Sequence, residues 1–184
     1  NNVVVFSPEE ESITKGGPNN RRRFFDKVFS IVSENYLEDL LNYSSILQHR
    51  NAVLKKGPSK KIDHQIKIWN EPFSEKAVKI WKQRKKLFFE YLEVFEETVK
   101  TLDVGVFCDI SYDQREIKKE EFLINLKKRK EADVALGFTT IGPHRDDFLF
   151  KWGSRAIRKK GSQGEHKMFL ALLKTTELLY LSKK

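Results

Sequence analysis

Over most of this chain apolar residues recur three or four positions apart, the spacing that gathers them on one face of a helix. After Gly16 Gly17 Pro18 a helix is predicted to about Ser33, with Phe24, Phe25, Val28, Phe29, Ile31 and Val32 as its apolar face. Pro18 suits that start, because a first-turn residue has no intrahelical N–H bond to lose. Tyr36, Leu40, Tyr43 and Leu47, with Leu37, Leu41, Val53 and Leu54, predict a second helix ended by Gly57 Pro58. Ser59 then caps a short helix carrying Ile62, Ile66 and Trp69. Pro72 is expected to kink or restart the chain, since a helix-interior proline removes a backbone hydrogen bond. A longer helix runs from about Phe73 to Thr101, with Ala77, Trp81, Phe88, Tyr91, Leu92, Phe95, Val99 and Leu102 on one side. Arg115 to Lys130 is again helical, its closing Lys127 Lys128 Arg129 Lys130 favourable in a last turn. The final helix follows Ser162, with Met168, Leu172, Thr175 and Leu179 at helical spacing up to Ser182.

Shorter stretches read as strands. Asn2 to Phe6 is a β-branched run stopped by Ser7 Pro8, and Glu9 to Thr14 behind it predicts a turn of helix. Val104, Val106, Cys108 and Ile110 alternate with a period of two. Phe138 to Ile141 before Gly142 Pro143, and Phe148 to Trp152 before the turn Gly153 Ser154, complete the set.

Charge changes this picture from a plain helical domain to one with a polyanionic ligand in view. The 184 residues carry 35 Lys and Arg against 26 Asp and Glu, a formal +9, which favours nucleic acid or a phosphate-bearing ligand. A single cysteine, Cys108, rules out an intramolecular disulfide and a Cys-based zinc site and fits a reducing compartment. No apolar run approaches the roughly 20 residues that cross a bilayer, so a cytoplasmic protein is expected.

Two runs carry candidate chemistry. In Gly161 Ser162 Gln163 Gly164 Glu165 His166 Lys167 a loop becomes a helix. The first N–H groups of a helix have no partner and carry partial positive charge, so a serine hydroxyl and a glycine placed there make either a simple cap or a phosphate contact, with Lys167 one turn in. About twenty residues upstream lies Gly142 Pro143 His144 Arg145 Asp146 Asp147. Its adjacent opposite charges can orient a cation toward phosphate or pin a loop, and both roles stay open. Arg21, Arg22 and Arg23 crowd the positive end of a helix, which calls for nearby carboxylates or a bound anion. Lys82, Lys85 and Lys86 share the polar side of the long helix and are a second candidate for phosphate contact. The aromatic stripe opposite them reads as core.

The block GPHRDD followed by SQG before a helix resembles the RecF family of ABC- and SMC-type ATPases. Further matches are Val5 Phe6 Ser7 Pro8 Glu9 Glu10, Lys15 Gly16 Gly17 Pro18, Arg21 to Asp26, Gln48 to Lys55 and Trp69 Asn70 Glu71, in order along essentially the whole chain. The resemblance implies an α/β fold, part of an ABC-type P-loop ATPase head with an inserted, mainly helical lid. Residues 1–17 would form the edge of the head, 18–102 the lid and 103–184 the return to the head. It implies ATP and Mg2+ as cofactors, a homodimer formed on ATP binding, DNA at a single-strand/duplex junction as ligand, RecR- and RecO-type partners, and a role in recombinational repair, replication and the SOS response. Ser162, Gln163, Gly164 and Lys167 would contact ATP held by a second subunit. The phosphate loop G-x-x-x-x-G-K-[ST] and a strand ending in paired acids are absent from this sequence, so an interior fragment, inactive alone, is expected. Where the family has apolar residues before SQG and glutamines and an arginine after it, this chain has Lys159, Lys160, Glu165, His166 and Lys167, and Glu165 is expected to weaken the hold on a triphosphate. The alternative is a non-enzymatic basic helical module that binds nucleic acid or protein.

Overall fold

The computed structural model describes residues 8–112 and 117–184. The strand expected at Asn2 to Phe6, the residues Val5 to Ser7 and the expected helix start at Arg115 lie outside the described residues. In chain order a 3-10 turn (Pro8–Glu11) leads into α1 (Ser12–Lys15), α2 (Pro18–Val32), α3 (Glu34–Leu54), α4 (Lys60–Thr101), β1 (Cys108–Ser111) and α5 (Lys119–Leu136). A second 3-10 turn (Pro143–Arg145), β2 (Leu149–Trp152), β3 (Arg155–Ala156), α6 (Ile157–Lys160) and α7 (Gln163–Ser182) follow. Among the described residues no helix is long and apolar enough to cross a membrane.

The chain divides into two compact units, the described residues of one falling within Asn1–Ser33, Lys85–Asp113 and Asp146–Lys184 and those of the other within Glu34–Arg84 and Gln114–Arg145. The first unit is built on an antiparallel sheet of order β1-β2-β3, with Ile110 opposite Phe150 and Trp152 opposite Arg155. Alternation turns Cys108, Ile110 and Phe150 inward. Phe24, Phe25, Val28 and Phe29 of α2 and Phe88, Tyr91 and Phe95 of α4 are buried in the same unit. Phe25 is its hub, stacked on Phe148 at 4.1 Å and edge-on to Tyr91 at 5.3 Å, arrangements that suit the ring quadrupole. In the second unit Val53 and Leu54 of α3 and Ile62 and Ile66 of α4 form an apolar cluster, with Trp69 and Val134 packed against it. Tyr43 stacks on Phe73 at 5.2 Å, and Trp81 meets Phe122 edge-on at 4.8 Å.

Five expectations are corrected. Pro72 does not restart the chain, because α4 is one 42-residue helix through it. Ile62, Ile66, Asn70, Phe73, Ala77, Ile80 and Arg84 keep one buried phase on both sides of the proline, so packing outweighs the single lost hydrogen bond. Phe138 to Ile141 forms no strand. Its polar backbone is satisfied by side chains: Thr139 N donates to Asn51 Oδ1 at 2.8 Å and Thr140 N to Asp133 Oδ1 at 2.9 Å. The strand expected over Val104 to Tyr112 shortens to β1, since Asp103 and Gly105 take positive φ in a turn before it. Helix α5 runs past Lys130 to Leu136 and ends on left-handed Gly137, which leaves the Lys127 to Lys130 cluster in mid-helix rather than in a last turn. In α7 Met168 and Leu179 are exposed, and the buried face is set by His166, Phe169, Leu170, Leu173, Thr176 and Tyr180 with Leu172.

Candidate functional site

Helix α7 starts on Ser162, whose extended backbone and hydroxyl form a reciprocal cap with Glu165. Glu165 N donates to Ser162 Oγ at 3.3 Å, and Ser162 N donates to Glu165 Oε2 at 2.6 Å. The other carboxylate oxygen pairs with the Arg155 guanidinium. Those hydrogen bonds, with Arg155 adding to them, hold the Glu165 carboxyl below the usual carboxylate range. His166 N donates to the Ser162 carbonyl, which leaves the first-turn amides of Gln163 and Gly164 without a partner among the described residues. Ser162, Gln163, Gly164 and Lys167 are all exposed.

Two glycines flank this start for different reasons. A Cβ on Gly161 would lie 2.6 Å from the Ile157 carbonyl and 3.0 Å from His166 Nε2, so close packing demands glycine there. A Cβ on Gly164 would meet nothing within 4 Å, and its φ is not positive. Glycine inside a helix costs up to about 1 kcal/mol relative to alanine, and nothing within the described fold requires it at this position. His166, on the buried side, has no hydrogen-bond partner at Nδ1. Burial, with Lys15 adding to it, depresses its pKa below the ordinary histidine value, which favours the neutral ring.

The GPHRDD run passes from one unit to the other between Arg145 and Asp146. In the helical unit Gly142 adopts φ +136°, and a Cβ there would sit 2.8 Å from the Tyr43 hydroxyl, so only glycine fits. His144 Nε2 lies 3.0 Å from the Thr139 carbonyl and must donate to it, so Nδ1 accepts from the Tyr43 hydroxyl at 2.5 Å. Arg145 donates to the same carbonyl at 3.1 Å and lies over the Phe138 ring at 4.8 Å. Behind this turn are charges that sequence reasoning missed. Arg84, fully buried, donates to the Pro143 carbonyl and to Tyr36, each at 3.0 Å. Arg50, also fully buried, pairs with buried Asp133 at 2.9 Å and reaches Asn70 and Thr139. Burial alone would lower the pKa of Arg50, and Asp133 opposes this. The available signal was phase: Tyr36, Asp39, Tyr43, Arg50, Val53 and Leu54 share one helix face, and two of them are charged.

In the sheet unit the remaining two residues of the run meet the arginines of α2. Arg21, 3% exposed, grips Asp147 through Nε at 2.8 Å and Nη2 at 3.0 Å and donates to the Gly16 carbonyl. Arg22 donates to the Asp146 carbonyl at 2.5 Å, and Tyr112 donates to the Asp146 carboxylate at 2.6 Å. Arg21 is thus fully engaged inside the fold, while Arg23 faces solvent. Lys82 and Lys86 are exposed on α4 with Lys85 half-buried between them. Among the described residues no three His, Cys, Asp or Glu side chains are placed to hold a metal ion.

The small antiparallel sheet, the helical unit and the exposed helix start after an SQG turn define part of an ABC-type ATPase head. No protein-family model matches the chain. It is, however, a homologue of RecF over 96% of its length, 34% identical to the DNA replication and repair protein RecF of Alkaliphilus oremlandii. The same share of the chain is 36% identical to RecF of Lachnoclostridium phytofermentans. Of solved structures, the recombination mediator protein RecF-ATPrS in the RecFOR pathway matches 98% of this chain with a TM-score of 0.86 and 27% identity. The RecF-ATP structure matches 97% of it with a TM-score of 0.85 and 29% identity. The chain spans about half the length of these relatives, 51% and 49% of the two proteins and 51% and 50% of the two structures.

Proposed function

We propose that within its complete protein this chain supplies the half of an ATP site that closes from a second subunit, in a RecF-like protein of DNA replication and recombinational repair. Gly164 carries the reading, as a helix glycine that no φ angle and no neighbour requires, two residues after an exposed serine, with its own amide and that of Gln163 without a partner among the described residues. Such a surface lets another backbone or a phosphate come close. The hydroxyl of Ser162, the N–H groups of Gln163 and Gly164 and the ammonium of Lys167 would meet the terminal phosphate of ATP bound by the partner. Phosphoryl transfer needs positioning and charge neutralisation more than covalent chemistry, and these groups supply both. Relatives solved with ATP and ATPrS support this ligand. Mg2+ would accompany ATP in the complete protein.

The helical unit within Glu34–Arg84 and Gln114–Arg145 serves in this reading as the lid, in place of residues 18–102, and the sheet unit, which includes α2, as part of the head. DNA at a single-strand/duplex junction would be held through exposed cations such as Arg23, Lys82 and Lys86, with RecR- and RecO-type proteins as further partners. Arg21 and Arg22 contribute by holding Asp147 and Asp146. The decisive experiment is Ser162→Arg in the complete protein. ATP-driven dimerisation is expected to disappear while circular dichroism keeps its wild-type helix content, the lost cap hydroxyl costing about 0.5–2 kcal/mol of stability. Dimerisation unchanged by this substitution rejects the ATP reading and leaves the basic binding module.

A further inference from the structure

Glu165 puts a carboxylate in the first turn of the helix that the reading above assigns to a phosphate. Its two oxygens are both committed, Oε2 to the Ser162 amide at 2.6 Å and Oε1 to Arg155. Arg155 stands in β3, immediately after the two-residue turn Gly153 Ser154, and its Cα is paired with Trp152 of β2. The hairpin therefore delivers a guanidinium to the cap of α7. The second carboxylate near this helix start, Glu11, is paired in the same way with Lys15, and Lys167 lies close enough to bear on it electrostatically. Glu165 and Glu11 thus each have a cation of their own, and Lys167, in the first turn of α7, is exposed.

We propose that Arg155 is a positioning residue for the phosphate contact of α7, neutralising Glu165 and holding it in the cap so that an incoming phosphate meets only N–H groups and Lys167. The proposal rests on the function proposed above and adds to it the means by which this chain tolerates an acid in that turn. The glutamate is useful to the fold, because its oxygen satisfies the Ser162 amide, and a glutamine does the same without charge. The charge alone is the hazard. Arg155 is 46% exposed on its side chain, so its ion pair adds little to stability in water. Its effect grows only when a second subunit covers the site and excludes water, because charges then interact through a lower dielectric.

The test is a two-residue cycle in the complete protein, read as the ATP concentration needed for half-maximal dimerisation and, separately, as melting temperature. Arg155→Ala is expected to leave melting unchanged and to raise that concentration about tenfold, the scale of one unbalanced charge at a helix start. Arg155→Ala with Glu165→Gln is expected to return it to the wild-type value, since the acid that needed neutralising is gone. The deficit of the single variant should also shrink as pH falls through the Glu165 pKa, where protonation removes the charge. An unchanged Arg155→Ala overturns the proposal. So does a double variant as weak as the single one, which would make Arg155 a direct phosphate contact or a structural residue. A wild-type protein that never dimerises with ATP overturns the parent reading as well, a result distinct from either of these.

Discussion

The two stretches that stand out in this sequence are held in opposite ways. The turn Gly142–Arg145 is fixed from three helices, by Tyr43 of α3, Arg84 of α4 and, through Thr140, Asp133 of α5. The start of α7 is held by its own capping box and one exposed arginine. Buried polar groups that are paired account for themselves as structure, because leaving them unpaired would be costly. Exposed groups that the fold does not use, the amides of Gln163 and Gly164 and the ammonium of Lys167, are the ones left for a ligand. The contrast separates a scaffold motif from a contact motif.

The contrast breaks first if the buried side is not what it looks like. Arg50→Met would leave Asp133 buried without its guanidinium, and the expected loss is about 3–5 kcal/mol in urea unfolding followed by tryptophan fluorescence. A loss under about 1 kcal/mol would remove the ion pair from the account of the turn. Gly142→Ala is next, at about 1–3 kcal/mol from forcing a side chain into the glycine-only φ region. Part of that cost should be relieved by Tyr43→Phe, which removes the hydroxyl 2.8 Å from the new Cβ, so purely additive effects would mean that strain is confined to the backbone. The smallest change in stability belongs to the exposed side. Gly164→Ala should leave the protein as stable or raise stability by up to about 1 kcal/mol, while weakening ATP-driven dimerisation. Loss of stability without loss of dimerisation would place Gly164 with the scaffold.

Local features were legible wherever the local chain decides them. Pro18 and Gly17 begin α2, Ser162 begins α7, Gly153 Ser154 turns the β2–β3 hairpin, and the stripe of Phe88, Tyr91 and Phe95 is core. Pro72 did not end the helix, because its local cost is outweighed by the packing of a helix whose buried phase continues on both sides of it. Phe138 to Ile141 misled because β-branched and aromatic residues suit a strand, while Asn51 and Asp133 supply hydrogen bonds that no nearby sequence announces. At α7 the helix was legible but its buried face was not, since Met168 and Leu179 are as apolar as Leu173 and only the neighbours decide which is covered.

The sequence by itself determined the periodicities, the caps, the basic balance and the two motifs that mark the RecF relationship, because these depend on residue identity and short-range spacing. Only the tertiary structure decided that Arg21 serves Asp147, that Arg50 and Arg84 are buried beneath the Gly142–Arg145 turn, and that Arg155 answers the charge of Glu165. The sequence separation explains the difference for the first two. Arg21 and Asp147 are 126 positions apart and Arg50 and Asp133 are 83, and no local rule pairs charges across such distances. Arg155 and Glu165 are only 10 apart, but β3 and the short helix α6 must first bring them face to face.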